Sequence, residues 1–175
     1  HPVPEDSGKN MDKILDILPE NRREAYNMYK IIQTLVDSGT VFDLKPLFGK
    51  TIITCLARIN GQTVGIVANQ PLVNGGAMGT DALEKLTGFL CLCDSYNVPL
   101  LFLHDSPGFF VGKEAELKKV GAKVTNAMDA LSQVTVPKIS IIIRKSYGQG
   151  MFSLCGPSAG PDFVVAWPSA EISFL

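Results

Sequence analysis

The stretch TIITCLARINGQTVGIVA, residues 51–68, decides how this chain folds. β-branched and apolar residues fill its two halves, 51–59 and 63–68, and Asn60, Gly61 and Gln62 separate them. An Asn-Gly pair between two such runs is the strongest short-range signal for a β-hairpin, because both residues tolerate a positive φ. The sequence therefore predicts two antiparallel strands joined by a tight turn.

Helical and strand patterns alternate along the rest of the chain. Some segments repeat apolar residues at helical spacing, and others are short apolar runs typical of buried strands. They predict helices at residues 21–37, 82–96, 114–133 and 150–154, and strands at 98–103, 136–143 and 163–167. The helix at 114–133 would bury Leu117, Val120, Val124, Ala127, Met128 and Leu131. This order of elements predicts one layered α/β domain.

The composition limits the class of protein. With 175 residues, 46% of them hydrophobic, the chain can bury the core of one domain. A formal net charge of -1 without a basic patch argues against binding to nucleic acid or to an anionic membrane. The apolar runs are too short to span a bilayer, and the start lacks the pattern of a signal peptide. We expect an intracellular protein whose partners are small molecules or other chains.

The two ends of the chain differ from its middle. Residues 1–20 are rich in proline and charged residues without a sustained period, which predicts a linker with one short turn around 11–18. Residues 21–175 would form the domain. Because the chain opens at His1 and stops within the apolar run 172–175, we expect this domain to be incomplete at its C-terminus.

The four cysteines, Cys55, Cys91, Cys93 and Cys155, lie in apolar segments. This placement predicts buried, reduced thiols rather than a disulfide framework. Cys91 and Cys93 are two residues apart, so a helix would direct them to different faces, and no metal site is expected there.

Two glycine-bearing loops follow predicted parallel strands, where α/β sheets bind their ligands. In the first, residues 105–112, the glycines and proline expose backbone N–H groups, and Phe109 and Phe110 offer apolar walls. A tight turn with aromatic plugs is the alternative interpretation. In the second, Gly148 and Gly150 allow a ligand to approach the backbone where a helix begins, although such glycines also serve packing. Such a pair of loops could stabilise negative charge on oxygen without a titratable side chain.

Charged and nucleophilic residues near these loops leave alternatives open. Arg144 and Lys145 would either attract a carboxylate or phosphate, or be solvated residues at a strand end. His104 and Asp105 are adjacent on a strand, so they should point to opposite faces rather than form a catalytic pair. The segment 156–160, Gly-Pro-Ser-Ala-Gly, matches a nucleophile elbow, but no histidine follows it.

The sequence therefore lacks an evident acid, base or nucleophile, and it contains no phosphate-binding, dinucleotide-binding or metal-binding motif. Two amide-rich loops without a base suit chemistry through an enolate, in which a cofactor or the substrate handles the proton.

Several segments together resemble the carboxyltransferase subunits of biotin-dependent acyl-CoA carboxylases and decarboxylases. They are RINGQTVGIVANQP (58–71), CD (93–94) with NVPL (97–100), DSPGF (105–109) with Gly112, TVPK (135–138), RKSYG (144–148) and AWPSAEI (166–172). The resemblance implies a crotonase-like fold of repeated ββα units. It also implies that the chain corresponds to the C-terminal carboxyltransferase domain, which presents biotin.

The resemblance further implies transfer of a carboxyl group between carboxybiotin and an acyl-CoA through an enolate. The acyl-CoA half would lie on a preceding N-terminal domain, with the site formed where one subunit's N-domain meets another's C-domain in a hexamer. Biotin carboxylase and a biotin carboxyl carrier protein or domain would be the partners, in the cytoplasm or, in a eukaryote, the mitochondrial matrix. No metal is implied.

Roles carry over residue by residue from the resemblance. The amides of Gly148, Gln149 and Gly150 would form the oxyanion site, where many relatives have Gly-Gly-Ala. Gly108, Phe109 and Phe110 would shape the biotin pocket, and Tyr147 would position the second loop. Several relatives carry an acidic residue at the position of Phe152, where it is linked to short acyl substrates. The methylcrotonyl type carries a bulky aromatic residue there. Phe152 therefore favours a larger or branched acyl group.

Two other functions remain open at this point. A biotin-independent hydratase, isomerase or decarboxylase of the crotonase type would use the same oxyanion geometry, but it should provide a protein acid or base. A non-catalytic assembly domain would not depend on the amide pocket. Blocking biotin with avidin should abolish the activity of a complete carboxyltransferase but not that of a biotin-independent enzyme. Gly150→Asp, which should spoil the amide pocket, should leave the function of an assembly domain intact.

Overall fold

The computed structural model describes residues 13–174, except for the side chains of residues 13 and 15, and within this range seven strands form one mixed sheet. The strands are β1 (Phe42–Asp43), β2 (Ile52–Ile59), β3 (Gln62–Asn69), β4 (Leu100–Ser106), β5 (Lys138–Tyr147), β6 (Phe163–Ala166) and β7 (Glu171–Ser173). They are ordered β1-β2-β3-β4-β5-β6, and β7 also pairs with β5. The predicted α/β class is confirmed.

The predicted hairpin is confirmed at its turn and in its strands. β2 and β3 are antiparallel from Ile52, opposite Asn69, to Ile59, opposite Gln62. The two turn residues have positive φ values, 51° at Asn60 and 78° at Gly61, as a turn matched to the strand twist requires. The carboxylate of Asp37 accepts hydrogen bonds from both turn N–H groups, at 3.1 and 2.7 Å.

The parallel strands β4 and β5 extend beyond the apolar runs from which they were predicted. β3, β4, β5 and β6 are parallel neighbours, which brings the carboxyl ends of β4 and β5 together. The predicted strands 98–103 and 136–143 stop short of the observed ends at Ser106 and Tyr147. Both extensions contain charged residues, whose burial a hydropathy pattern does not anticipate. β1 and β7, of two and three residues, are too short to show a period.

Six helices accompany the sheet in the described range, and none is long and apolar enough to cross a membrane. They are α1 (Lys13–Ile17), α2 (Met28–Leu35), α3 (Thr80–Ser95), α4 (Lys113–Leu117), α5 (Val120–Gln133) and α6 (Gly148–Ser153). The predicted helices at 82–96 and 150–154 are confirmed to within two residues at each end. The helix predicted at 21–37 begins only at Met28, because the Asn27 side chain caps it by accepting from Tyr29 N.

The single helix predicted at 114–133 is wrong: the chain forms two helices, α4 and α5. Lys119 between them has a left-handed conformation with φ 55°, which interrupts the helical hydrogen bonding. As a result Leu117, on α4, is 74% exposed rather than buried. Met128 is also exposed, whereas Val120 and the other predicted core residues of α5 are buried.

Two hydrophobic clusters cover the two faces of the sheet. One joins α3 and α5 to the sheet, and the other joins α1 and α2 to the opposite side. Every residue of β4 is buried, as expected for a parallel strand covered on both faces. The loop after β4 therefore follows a strand that packing fixes on both sides.

The segment predicted as a linker is described only from residue 13. Where a short turn was predicted it contains α1, whose Ile14 is 2% exposed and packs in the cluster with α2. The boundary between residues 20 and 21 stays a prediction. Three cysteines are buried, but Cys91 is exposed on the outer side of α3, so the prediction of burial is wrong for this thiol.

Replacing Asp37 should destabilise the fold through the hairpin turn. Asp37 is 8% exposed, and Asp37→Ala leaves the N–H groups of Asn60 and Gly61 without their acceptor. We expect a loss of about 1–2 kcal/mol in the free energy of unfolding, measured with urea. Asp16→Ala, at an exposed position, is the control and should change it by less than about 0.5 kcal/mol. Equal effects of the two variants would contradict the capping role.

Candidate functional site: two converging glycine bends

The two glycine-bearing bends touch each other. An ideal Cβ on Gly150 would lie 2.9 Å from the Cα of Gly108 and 3.3 Å from the hydroxyl of Ser106. A contact below 3.0 Å leaves no room for a side chain, so the backbones of the loop after β4 and the start of α6 are in direct contact. The two bends therefore meet at the same edge of the sheet.

In the first bend, the backbone donor next to Gly108 is left for a ligand. Gly108 N donates to Ser106 Oγ at 3.1 Å, and Phe110 N donates to the carbonyl of Met78 at 3.0 Å. Within residues 13–174, the N–H of Phe109 between them has no hydrogen-bond partner. The donor on this side is thus Phe109, while Gly108, with φ 113°, provides the close approach to Gly150.

The second bend lies where β5 passes directly into α6. Gly148 has φ 53°, which favours glycine, and the preceding residue, Tyr147, makes no side-chain cap. The first N–H groups of a helix have no acceptor inside it. Gln149 is exposed and Gly150 is buried against Gly108, so the N–H groups of these two residues begin α6 beside the first bend.

Tyr147 is held by the last described strand. Its hydroxyl donates to Glu171 Oε2 on β7 at 2.6 Å, and the other carboxylate oxygen of Glu171 pairs with Arg22. The phenol is therefore engaged in the structure rather than free to react. This contact ties the residue before Gly148 to β7.

The two aromatic residues of the first loop differ in their surroundings. Phe110 is 40% exposed and lines a cavity of about 510 Å³ together with Val111, Thr80 and Glu114. Phe109 is partly buried and packs against the hydrophobic cluster around α3 and α5. Of the two predicted apolar walls, Phe110 lines this cavity and Phe109 does not.

Phe152 lies on α6 and packs against Phe174. Their ring centroids are 6.2 Å apart and the rings are tilted by 41°. Phe152 is partly buried, and it is not among the described residues that line the cavity beside Phe110. Its side chain thus connects α6 to the end of the described chain.

Arg144 is neither an exposed anion-binding residue nor a solvated strand end, so both interpretations are wrong for it. Arg144 is 3% exposed, and its Nε donates to Asp105 Oδ2 at 2.9 Å. The guanidinium also lies over the ring of Tyr26, 4.8 Å from its centroid. Sequence reasoning missed this ion pair, although opposite charges at the carboxyl ends of neighbouring parallel strands are a signal that could have found it.

His104 faces away from Asp105, as the alternation along a strand predicts. Its Nδ1 is 3.4 Å from Ser146 Oγ, and the residue is fully buried. Burial lowers the pKa of His104 to about 4, because desolvation disfavours the charged imidazolium. His104 is thus a neutral core residue near pH 7.

The rejected nucleophile elbow does not have the required geometry. Pro157–Ala159 form a 3-10 helix that leads into β6, and Ser158 is exposed. A nucleophile elbow needs a strand before the serine and a helix after it. The rejection is confirmed.

Comparison with known proteins shows that the chain belongs to the carboxyl transferase domain family, whose model matches residues 1–175. It is 43% identical over 162 residues to the methylmalonyl-CoA decarboxylase subunit alpha of Propionigenium modestum, covering 91% of this chain and 31% of that protein. It is 42% identical over 165 residues to an uncharacterized carboxylase, YngE, of Bacillus subtilis, covering 93% and 32%.

A solved structure gives the same result for the fold. The transcarboxylase 12S structure, a hexamer with methylmalonyl-coenzyme A and methylmalonic acid bound, superimposes with a TM-score of 0.92. It is 38% identical and covers 97% of this chain and 32% of that one. The predicted crotonase-like α/β fold is confirmed. The chain spans about a third of the length of these relatives.

The pH dependence of stability should reveal the buried His104. Its pKa is about 4 in the folded chain and about 6.5 unfolded, so only the unfolded state gains a proton as pH falls between these values. The contribution of His104 to the free energy of unfolding is therefore fully present above pH 6.5 and is lost as the pH falls toward 4. At pH 4.5 we expect the wild type to have lost about 2–3 kcal/mol more than His104→Gln, by urea unfolding. Parallel pH profiles of the two proteins would show that His104 titrates normally.

Proposed function

We propose that this chain is the biotin-presenting part of a carboxyltransferase that transfers a carboxyl group between carboxybiotin and an acyl-CoA. The observation that carries the proposal is the contact between Gly108 and Gly150, in a chain of the carboxyl transferase domain family. The free N–H of Phe109 and the N–H groups that begin α6 belong to the two bends that this contact joins. We assign these donors to an oxyanion site.

The donor set suits the ureido group of biotin. A ureido oxygen accepts hydrogen bonds, and backbone N–H groups need no proton exchange to stabilise negative charge on it. When bound, carboxybiotin supplies the CO2 and a group able to accept the α-proton of the thioester. The chain's own contribution is to hold that oxygen with Phe109, Gln149 and Gly150. Each such donor typically contributes about 3 kcal/mol to transition-state stabilisation.

The described side chains support chemistry without a protein base. His104 is buried and neutral near pH 7, and Tyr147 is engaged by Glu171. We therefore propose that Tyr147 positions the second bend. Phe110, on the cavity wall, would limit the access of water to the biotin pocket, which strengthens hydrogen bonds to a developing charge.

The substrate and partners are proposed from the relatives. Methylmalonyl-CoA is named for the decarboxylase of Propionigenium modestum and is bound in the transcarboxylase 12S hexamer. We propose an acyl-CoA substrate, bound mainly by an N-terminal domain of a second subunit in a hexamer. Biotin carboxylase and a biotin carboxyl carrier would be the partners, and the predicted location is the cytoplasm or mitochondrial matrix.

Carboxyl transfer by the complete enzyme, with its carrier and carboxylase partners, should depend on biotin and on the glycine contact. Avidin should abolish it. Gly150→Val pushes the two bends apart and should lower kcat by about 10²-fold or more. Gly121→Val is the control, because a side chain at Gly121 on α5 meets nothing within 4 Å. The isolated 175-residue chain should be inactive.

Three outcomes would contradict this assignment. Turnover of an acyl-CoA that survives avidin would favour a biotin-independent enzyme of the crotonase type. Full activity of Gly150→Val would remove the oxyanion site from the mechanism. A wild type that assembles but shows no carboxyl transfer would favour a non-catalytic assembly domain.

Phe152 should influence the choice of acyl group. The resemblance associates an acidic residue here with short acyl substrates, so Phe152→Asp should shift kcat/KM toward propionyl-CoA over methylcrotonyl-CoA by about 10-fold, as expected for small differences in acyl size. Phe42→Asp, at a 66% exposed position on β1, is the control and should leave the ratio unchanged. An unchanged ratio for Phe152→Asp would show that Phe152 only packs against Phe174.

A further inference from the structure

The ladder between β4 and β5 is interrupted just before the two bends. His104 lies opposite Ile142, but Ser106 lies opposite Ser146. One residue on β4, Asp105, therefore faces three on β5, residues 143–145. A bulge of this kind leaves backbone groups unpaired and changes the direction of the strand. Both glycine bends begin within a few residues of it.

The side chain of Asp105 occupies this irregularity. Its Oδ2 accepts from Arg144 Nε at 2.9 Å, and its Oδ1 accepts from the backbone N–H of Lys145 at 3.2 Å. The carboxylate thus provides acceptors for the extra segment of β5 where the regular ladder does not. Asp105 is 0% exposed and Arg144 is 3% exposed, so water does not replace these bonds.

Further contacts fix both members of the pair. Asp105 N donates to Asn69 Oδ1 at 3.1 Å, and Asn69 Nδ2 donates to the carbonyl of Gly76 at 3.2 Å. Arg144 Nη1 donates to the carbonyl of Glu24 at 2.9 Å, while its guanidinium lies over Tyr26. The Asp105 carboxylate is thus bonded to residues 144 and 145, and the Arg144 side chain contacts both Asp105 and the segment 24–26.

A buried ion pair is weak evidence for a stabilising role, because well-packed apolar residues of similar volume often give equal or greater stability. What an apolar pair lacks is the ability to satisfy the backbone of an irregular strand. The geometry here requires both an acceptor for Lys145 N and a fixed side chain beside it. This points to a role in placing the backbone that follows.

We propose that Asp105 and Arg144 are positioning residues that set the offset between β4 and β5, and with it the contact between Gly108 and Gly150. The inference rests on the proposed function, since the groups being placed are the N–H donors of the oxyanion site. A slip of one residue along a strand moves the backbone by about 3.3 Å. A misplacement of about 1 Å can already lower a rate by about 10²-fold.

Asp105→Asn and Arg144→Lys test the proposal in the complete enzyme, with Ile142→Ala as the control. Ile142 is buried on β5 next to the bulge but takes no part in the ion pair. We expect kcat for carboxyl transfer to fall by about 10²-fold in both variants. The KM for acyl-CoA should change less than about 2-fold, since that substrate is assigned to another domain. The double variant should lose little more than either single variant, because the pair acts as a unit.

Hydrogen exchange gives a readout independent of activity. In Asp105→Asn, amide exchange should become faster in both residues 106–110 and residues 146–150, whereas Ile142→Ala should not affect the two bends together. If Asp105→Asn does not fold, the same comparison is made with Arg144→Lys. Unchanged exchange at both bends, or a kcat loss no larger than that of Ile142→Ala, would overturn the proposal. A wild-type enzyme without carboxyl transfer would instead refute the proposed function, and exchange would still decide the positioning role.

Discussion

The structure of the site depends on a contact between two backbones. Gly150 lies so close to Gly108 that a side chain on it would meet the opposite Cα at 2.9 Å. Two loops from different strands can approach this closely only if neither carries a side chain at the point of contact. This constraint explains why glycines stand at the ends of β4 and β5, and why the donors beside them belong to the main chain. It also makes the site sensitive to anything that changes the separation of the two strand ends.

The sheet provides the rigidity that such a contact needs. β4 is buried along its whole length, between a cluster formed with α3 and α5 and a second cluster formed with α1 and α2. Packed interiors transmit small displacements because they contain few voids. The loop after β4 is further tied to the segment before α3, through hydrogen bonds between Met78 and both Gly108 and Phe110. The first bend is therefore fixed on both sides, and the second must be placed relative to it.

Sequence reasoning succeeded where the determinants are local. The Asn60-Gly61 turn requires positive φ values, and those residues supply them whatever the rest of the chain does. The ion pair between Asp105 and Arg144 was missed: the opposite charges at two strand ends were visible, but their pairing depends on the register of strands that are separated along the chain. The break at Lys119 also escaped the pattern, since apolar residues continue at helical spacing across it. The two bends meet because parallel strands end at the same edge of a sheet.

The electrostatic character of the site follows from these constraints. Its titratable neighbours are withdrawn from it: burial holds the pKa of His104 near 4, Asp105 is paired with Arg144, and the Tyr147 hydroxyl is bonded to Glu171. The donors that we assign to the proposed oxyanion site are neutral N–H dipoles, whose strength does not change with pH. A site of this kind can stabilise an oxygen anion but cannot supply or remove a proton. The proposed carboxyl transfer would therefore take its base from the bound molecules, as a biotin-derived base allows.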